Sequence, residues 1–147
     1  MRKSNYDKYP STSVNGSLWE GCDAILNQIK LDLSLQNGRH VLVVECYQGV
    51  HHKELLEQLA LLPVDERVDT RDLLRSEEEI EEMTRPFLTD DRLFGRRSSF
   101  SYADFLDNSN VEAFRRRLKQ LQGVVLVYGH GAAWVADQPD TLVYADM

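Results

Sequence analysis

Residues 41–53 read VLVVECYQGVHHK, and they hold the transition from which the rest of the fold can be predicted. The segment begins as a short, continuous apolar run, which is typical of a strand buried on both faces of a parallel sheet. It continues through Gly49 into a second segment whose leucines recur at helical spacing. A strand, a loop with glycine and a helix together form the frame of a phosphate-binding loop.

The same alternation of strands and helices continues along the chain. Helical spacing of apolar residues predicts helices near residues 18–35, 53–62, 76–83 and 110–122. Short apolar runs predict strands near residues 40–45, 67–70, 124–128 and 142–144. This order predicts an α/β domain of three layers, in which helices flank a mostly parallel sheet. We expect residues 1–17 to form an irregular N-terminal arm and residues 18–147 to form a single domain.

The charge balance limits the partners that the chain can bind. Asp and Glu number 24 against 17 for Lys and Arg, which gives a net charge of -7. This balance argues against nucleic acid, because phosphate contacts require a basic face. No apolar stretch approaches the roughly 18 residues that span a bilayer, so we expect no membrane partner either. With two cysteines and no secretory signal, the chain is expected to be cytoplasmic with reduced thiols.

Ligands of open parallel sheets bind outside the carboxyl ends of the strands. Three polar clusters, ECYQGVHHK, YGHGAA and YADM, follow predicted strands and should therefore meet at one edge of the sheet. The residues that we expect to line a cleft there are Glu45, Cys46, Tyr47, Gly129, His130, Gly131 and Asp146. GHGAAW is too short for a dinucleotide-binding motif and is expected to be a tight turn that uses the conformational freedom of glycine.

Two kinds of chemistry at this edge find little support in the sequence. Cysteine, histidine and glutamate are all zinc ligands in proteins, so zinc could bind Cys46, His51, His52 and Glu45. However, the side chains of neighbouring histidines diverge, and a third ligand such as His130 has to come from another loop. Cys46 and His130 could also form a nucleophile and its base, but a buried cysteine at a strand end is a common structural choice. The sequence therefore predicts no metal site.

Phosphate binding is the third alternative for this loop. The full nucleotide motif is G-x-x-x-x-G-K-[ST], whereas ECYQGVHHK contains one glycine and no Lys-Ser or Lys-Thr pair. Glu45 at the mouth would repel a phosphate group unless it is protonated or paired. Standard ATP chemistry is therefore not expected, but anion binding at the start of the helix stays open. Its candidate residues are Gly49, Val50, His51, His52 and Lys53.

The segment LTDDRLFGRR is charged and is expected to be a loop. Its charges either pair with one another at the surface, with small energetic effect, or form a lid over an anionic ligand. The lid candidates are Asp90, Asp91, Arg92 and Arg96.

Seven stretches carry a resemblance to a known family: NYDKYP, WEG, VVECYQGV, FLTDDRLFG, DFLD, LVYGHGAAWV and LVYADM, in that order. Together they resemble the N-terminal domain of bacterial proteins of the class I mannose-6-phosphate isomerase family. The resemblance covers nearly the whole chain. Family members commonly have proline where Gln48 stands and a different residue where His130 stands, and neither change removes a glycine.

The resemblance implies a nucleoside-kinase type of P-loop fold that has lost its motif. It also implies that zinc-dependent aldose–ketose isomerisation belongs to a cupin barrel further along such proteins, so we expect zinc only there and no cofactor in this chain. The closely spaced histidines of a cupin site are missing here. We therefore expect an isolated N-terminal domain, without isomerase activity alone, whose partner is a catalytic cupin domain of the same or a separate chain.

Three functional hypotheses follow. The first is an accessory domain that binds a phosphorylated sugar or nucleotide, or packs against the catalytic barrel. The second is a small phosphotransferase with an altered loop, in which Glu45, Lys53 and Asp146 surround the phosphates. The third is a protein-interaction module, which an exposed apolar patch near the C-terminus would favour.

Overall fold

A computed structural model describes residues 9–13, 15–91 and 94–146. Its helices are α1 (Cys22–Ser34), α2 (His52–Leu59), α3 (Glu77–Thr84), α4 (Asn108–Leu118) and α5 (Ala132–Ala136). Its strands are β1 (His40–Cys46), β2 (Glu66–Asp69), β3 (Val124–Gly129) and β4 (Thr141–Ala145). The predicted arm lies partly outside the described residues, and residues 9–13 and 15–17 of it are irregular and exposed.

The four strands form one sheet in the order β2-β3-β1-β4, and every pair is parallel. β1 is central and pairs with β3 on one side and with β4 on the other. Parallel strands need crossover connections, which α2, α4 and α5 provide. The predicted α/β class with a parallel sheet is therefore confirmed.

Alternate residues of β1 face two separate cores. Leu42 and Val44 pack with α1 and α2 on one face of the sheet. Val41 and Val43 pack with α4 and α5 on the other face. This alternation explains why the run VLVV is apolar at every position: each leucine or valine is almost completely buried, which stabilises the fold by about 1.5–3 kcal/mol per side chain.

The sequence patterns placed the long elements within a few residues of their observed bounds. α1 begins later than predicted because Gly21, at φ 84°, precedes its first turn. α2 ends earlier, and residues 60–62 continue as turns. The one described α-helix that was not predicted is α5, whose first three residues are the last three of GHGAAW; the expected tight turn lies just before it, at residues 130–131. Among the described residues, every helix is too short or too polar to cross a membrane.

Candidate functional site

The carboxyl edge of the sheet contains a crevice between the loops that follow β1 and β3. The loop after β1 leads to α2 on one face, and the loop after β3 leads to α5 on the opposite face. Such a divergence of neighbouring connections is where open α/β sheets bind ligands. The register pairs Glu45 with Gly129 and with Tyr144, and Cys46 with Ala145. The three polar clusters of the sequence therefore lie at one edge.

Glu45 binds the start of α5 with both of its carboxylate oxygens. The backbone N–H of Gly131 donates to Oε1 over 2.7 Å, and the N–H of Ala133 donates to Oε2 over 2.8 Å. The N–H groups at a helix start attract anions, and here the carboxylate of Glu45 already takes that position. Glu45 is thus paired, so it presents less repulsion to a phosphate than an unpartnered carboxylate would.

Glycine is required on both sides of His130. Gly129 has φ 119° and Gly131 has φ 70°, in the region that L side chains rarely adopt. A Cβ atom on Gly129 would meet the hydroxyl of Thr70, which is completely buried. A Cβ atom on Gly131 would lie 2.6 Å from the ring of Tyr102. The loop therefore needs glycine both for its backbone conformation and for close packing.

His130 and His52 meet across the crevice. Nδ1 of His130 lies 2.7 Å from the carbonyl oxygen of Cys46, which can only accept, so Nδ1 carries the proton. In the neutral ring, Nε2 of His130 therefore has a free lone pair, and it lies 3.3 Å from Nε2 of His52. The ring of Tyr102 packs beside His130, with 5.9 Å between centroids.

His51 points away from this pair. Its side chain is 81% exposed and Nδ1 lies 3.8 Å from the carboxylate of Glu54. The two adjacent histidines therefore diverge as neighbouring residues of a helix do.

The first turn of α2 is open to solvent. Its N-cap residue, His51, makes no side-chain capping hydrogen bond. In contrast, Ser76 caps α3 and Asp107 caps α4. The N–H groups of the first turn have no partner within a helix. Lys53 is exposed on the same turn.

A cavity of about 570 Å3 lies beside this turn, between α1, α2 and β4. Its floor is apolar and consists of side chains from α1, α2, β1 and β4: Ile25, Leu26, Ile29, Val44, Leu55, Leu59, Val143 and Ala145. Its rim is mostly polar and includes Gly49, Val50, His51, Glu54, Gln58, Tyr144 and Asp146. Part of the phosphate-candidate loop thus lines this cavity, which is larger than two others in the described chain, of about 410 and 160 Å3.

Cys46 is not poised as a nucleophile. The side chain is buried, and its Sγ lies 3.7 Å from the carbonyl oxygen of Val44. Burial raises the pKa of the Cys46 thiol, which favours the protonated form. A thiolate nucleophile needs the opposite shift. The structural role that the sequence suggested for this cysteine is therefore the one that the geometry favours.

Asp69 ends β2 at the same edge of the sheet. Burial opposes its ionisation, but hydrogen bonds from the backbone and guanidinium of Arg71 outweigh burial and hold the pKa of Asp69 below its usual range. Burial also raises the pKa of Tyr128, whose phenol lies near Asp69. The carboxylate of Asp69 thus forms an ion pair and hydrogen bonds with Arg71, two residues further along the chain.

The lid candidates belong to a loop whose own hydrogen bonds hold its two sides together. The N–H of Phe94 donates to Oδ1 of Asp91 over 3.2 Å, and the N–H of Arg96 donates to the oxygen of Phe87 over 2.7 Å. Asp90 is exposed, and Arg92 lies outside the described residues. Neither hydrogen bond reaches the crevice, so the lid role stays a prediction.

Sequence reasoning missed three residues of this edge. Asp69 and Thr70 end a predicted strand, so the rule that placed the other strand ends applied to them as well. Tyr102 begins a short 3-10 helix that the sequence patterns did not predict, and no local pattern points to its contact with His130. Among the described residues, no three His, Cys, Asp or Glu side chains form a group that could hold a metal ion.

Comparison with known proteins gives one match. The model of a family described as a domain of unknown function (DUF8485) matches residues 21–147. No curated protein and no solved structure matches the sequence.

Proposed function

Because this chain belongs to the DUF8485 family, which has no assigned function, we propose its role from the site: a non-catalytic domain that binds a phosphorylated small molecule. The observation that carries the proposal is the open first turn of α2 at the mouth of the cavity of about 570 Å3. Helix starts bind phosphate because their N–H groups and the helix dipole favour negative charge. The phosphate group would lie at the N–H groups of residues 51–54, and Lys53 would add a positive charge.

The binding energy is divided between the helix start and the cavity. A helix start contributes only about 0.3–2 kcal/mol to an anion. The net charge of -7 acts against anions at long range. Most of the affinity must therefore come from the body of the ligand in the cavity, whose volume falls within the usual range for small-molecule sites.

The lining of the cavity favours a nucleotide over a sugar phosphate. Its floor consists of leucine, isoleucine, valine and alanine side chains, which suit a flat, weakly polar nucleobase better than a hexose with many hydroxyl groups. Gln58 and Glu54 on the rim offer hydrogen-bonding groups to the edge of a base. A sugar phosphate remains the ligand that the resemblance to mannose-6-phosphate isomerases suggests, so both classes belong in the test.

The strand order supports a kinase-like frame for this proposal. β1 is central, and a loop with Gly49 at φ 103° leads from it directly into α2, as in the P-loop arrangement that the resemblance implies. The phosphotransferase alternative has less support, because Glu45, one of its three proposed residues, uses both carboxylate oxygens to bind α5. We propose that the domain is accessory to a catalytic cupin domain, which would supply the isomerase chemistry.

Calorimetric titration of the chain tests the binding proposal. Mannose 6-phosphate, fructose 6-phosphate, ATP and UTP are the ligands, and mannose and uridine are the unphosphorylated controls. We expect saturable binding of a nucleotide that uridine does not reproduce. Lys53→Ala should weaken it about fivefold, since an exposed charge contact contributes about 1 kcal/mol. Lys119→Ala, which removes an exposed lysine at the far end of α4, should leave it unchanged. Absence of binding for all four phosphorylated ligands would refute the proposal.

A second candidate function is an interaction module, and the outer face of β4 favours it. β4 is an edge strand, and Leu142 and Tyr144 on its α5-side face are 54% and 58% exposed. The partner that we propose is the cupin domain named above. Co-expression of this chain with a cupin isomerase from the same organism should give a complex that Leu142→Ser and Tyr144→Ser weaken. Separate elution of the two proteins would contradict this candidate.

A further inference from the structure

We propose that His52 and His130 form a binding site for a divalent transition-metal ion of the zinc type. The site needs no phosphorylated ligand and is therefore independent of the function proposed above. The sequence predicted no metal site because adjacent histidines diverge. The fold instead separates His51 from His52 and brings His52 to a histidine from the other loop of the crevice.

The distances between the two rings fit two ligands of one ion. Their Nε2 atoms lie 3.3 Å apart, and their ring centroids lie 5.2 Å apart. Two imidazole nitrogens on one tetrahedral zinc lie about 3.3 Å apart, with ring centroids about 5.2 Å apart, because each Zn–N bond is about 2.0–2.1 Å long. In the metal-free chain the same contact is a long N–H···N hydrogen bond, in which Nε2–H of His52 donates to the lone pair of His130.

The hydrogen bond on the other ring nitrogen of His130 is also one that metal-binding histidines make. Nδ1 of His130 donates to the carbonyl oxygen of Cys46 over 2.7 Å, which fixes the ring and directs the lone pair of Nε2 into the crevice. Metal-binding histidines usually donate their other N–H in this way, and the contact sets both the tautomer and the orientation of the ring. His52, at the start of α2, needs only the tautomer with its proton on Nδ1 to present a second lone pair.

The remaining coordination positions of such an ion would be open to the crevice. No third His, Cys, Asp or Glu of the described chain joins the pair. Water, or an oxygen of a bound ligand, would therefore complete the coordination, and the ion would exchange more readily than one in a closed structural site. Imidazole ligands suit Zn2+, Ni2+ and Cu2+, with Co2+ as a spectroscopic substitute.

Titration of the full chain with ZnCl2 and CoCl2, in the absence of any phosphorylated ligand, tests the site. Calorimetry should give one ion per chain, and Co2+ should give the visible absorption of a tetrahedral nitrogen-ligated ion. His52→Gln and His130→Gln should each weaken binding about 10-fold or more. His51→Gln is the matched control and should bind as the unaltered chain does. Cys22→Ser tests the exposed thiol and should also leave the affinity unchanged.

Three results would overturn the proposal: no binding at one ion per chain, unchanged affinity in His52→Gln, or loss of affinity in Cys22→Ser. Circular dichroism checks that each variant folds. If His130→Gln fails to fold, His52→Gln decides the question, because this side chain is partly exposed and its only described hydrogen-bond contact is with His130.

Discussion

Replacement of Glu45 by alanine should destabilise the loop after β3 and the start of α5. In the native chain the carboxylate accepts the N–H groups of Gly131 and Ala133 over 2.7 and 2.8 Å. Without the carboxylate these two donors lose their acceptor in a partly buried position. The perturbation is therefore local to a loop that also carries His130.

The expected loss of stability follows from the two hydrogen bonds. A hydrogen bond to a charged group contributes about 1.5–3 kcal/mol when buried, and loss of a helix cap costs about 0.5–2 kcal/mol. Because the site is partly open to water, which can replace the carboxylate, we expect the free energy of unfolding to fall by about 2–4 kcal/mol for Glu45→Ala. Glu45→Gln keeps one acceptor oxygen but turns an amide group toward an N–H donor, so about half of that loss is expected.

Urea unfolding, extrapolated linearly to water, measures these differences. Glu54→Ala is the matched control, because Glu54 is an exposed glutamate near the same edge whose described contact is an exposed ion pair with His51. It should change stability by less than about 0.5 kcal/mol. Amide hydrogen exchange should rise at Gly131 and Ala133 in Glu45→Ala. A loss of less than about 0.5 kcal/mol in Glu45→Ala, with unchanged exchange, would refute the capping role.

Three further changes test the fold around the site. Gly129→Ala should cost about 2–4 kcal/mol in urea unfolding, because φ 119° is strained for alanine and its Cβ meets the Thr70 hydroxyl. The cost should fall in a Thr70→Ala background, and an equal cost in both backgrounds would contradict the clash. Asp69 has a lowered pKa, so its contribution is complete above about pH 5 and is lost as pH falls below about 4. The stability gap between the native chain and Asp69→Asn should therefore shrink between pH 7 and pH 3, and a constant gap would exclude the charge as its cause. Leu106→Ala should lower stability by about 3 kcal/mol, since this side chain is 0% exposed, and a loss below about 1 kcal/mol would show that the core collapses around it.

The strands and long helices could be predicted because their signals are local. In VLVV, successive side chains enter two different cores, and this is the reason that the run is apolar throughout. Ser76 and Glu79 form the capping box that their spacing indicates. From such patterns the α/β class and the parallel sheet follow without any knowledge of the tertiary structure.

The contacts that define the site could not be predicted in the same way. Glu45 is 86 residues from Gly131, and His52 is 78 residues from His130. The helix α5 has only five residues, too few to show periodicity. The carboxylate that caps it belongs to Glu45 on β1, far away in the sequence. The carboxyl ends of parallel strands meet at one edge of a sheet, so the sequence does predict that these residues lie at the same edge. Which side chains pair with one another depends on the backbone of the two loops.

The start of α2 can be examined through the amide chemical shifts of the 15N-labelled chain. They are followed during titration with the nucleotide that binds in calorimetry, ATP or UTP, and separately with its nucleoside. The proposed function predicts saturable shifts with the nucleotide at the N–H groups of residues 51–54 and along the cavity, and much smaller shifts at those N–H groups with the nucleoside. Equal shifts at residues 51–54 with both compounds, or no shifts there with the nucleotide, would contradict phosphate binding at this helix.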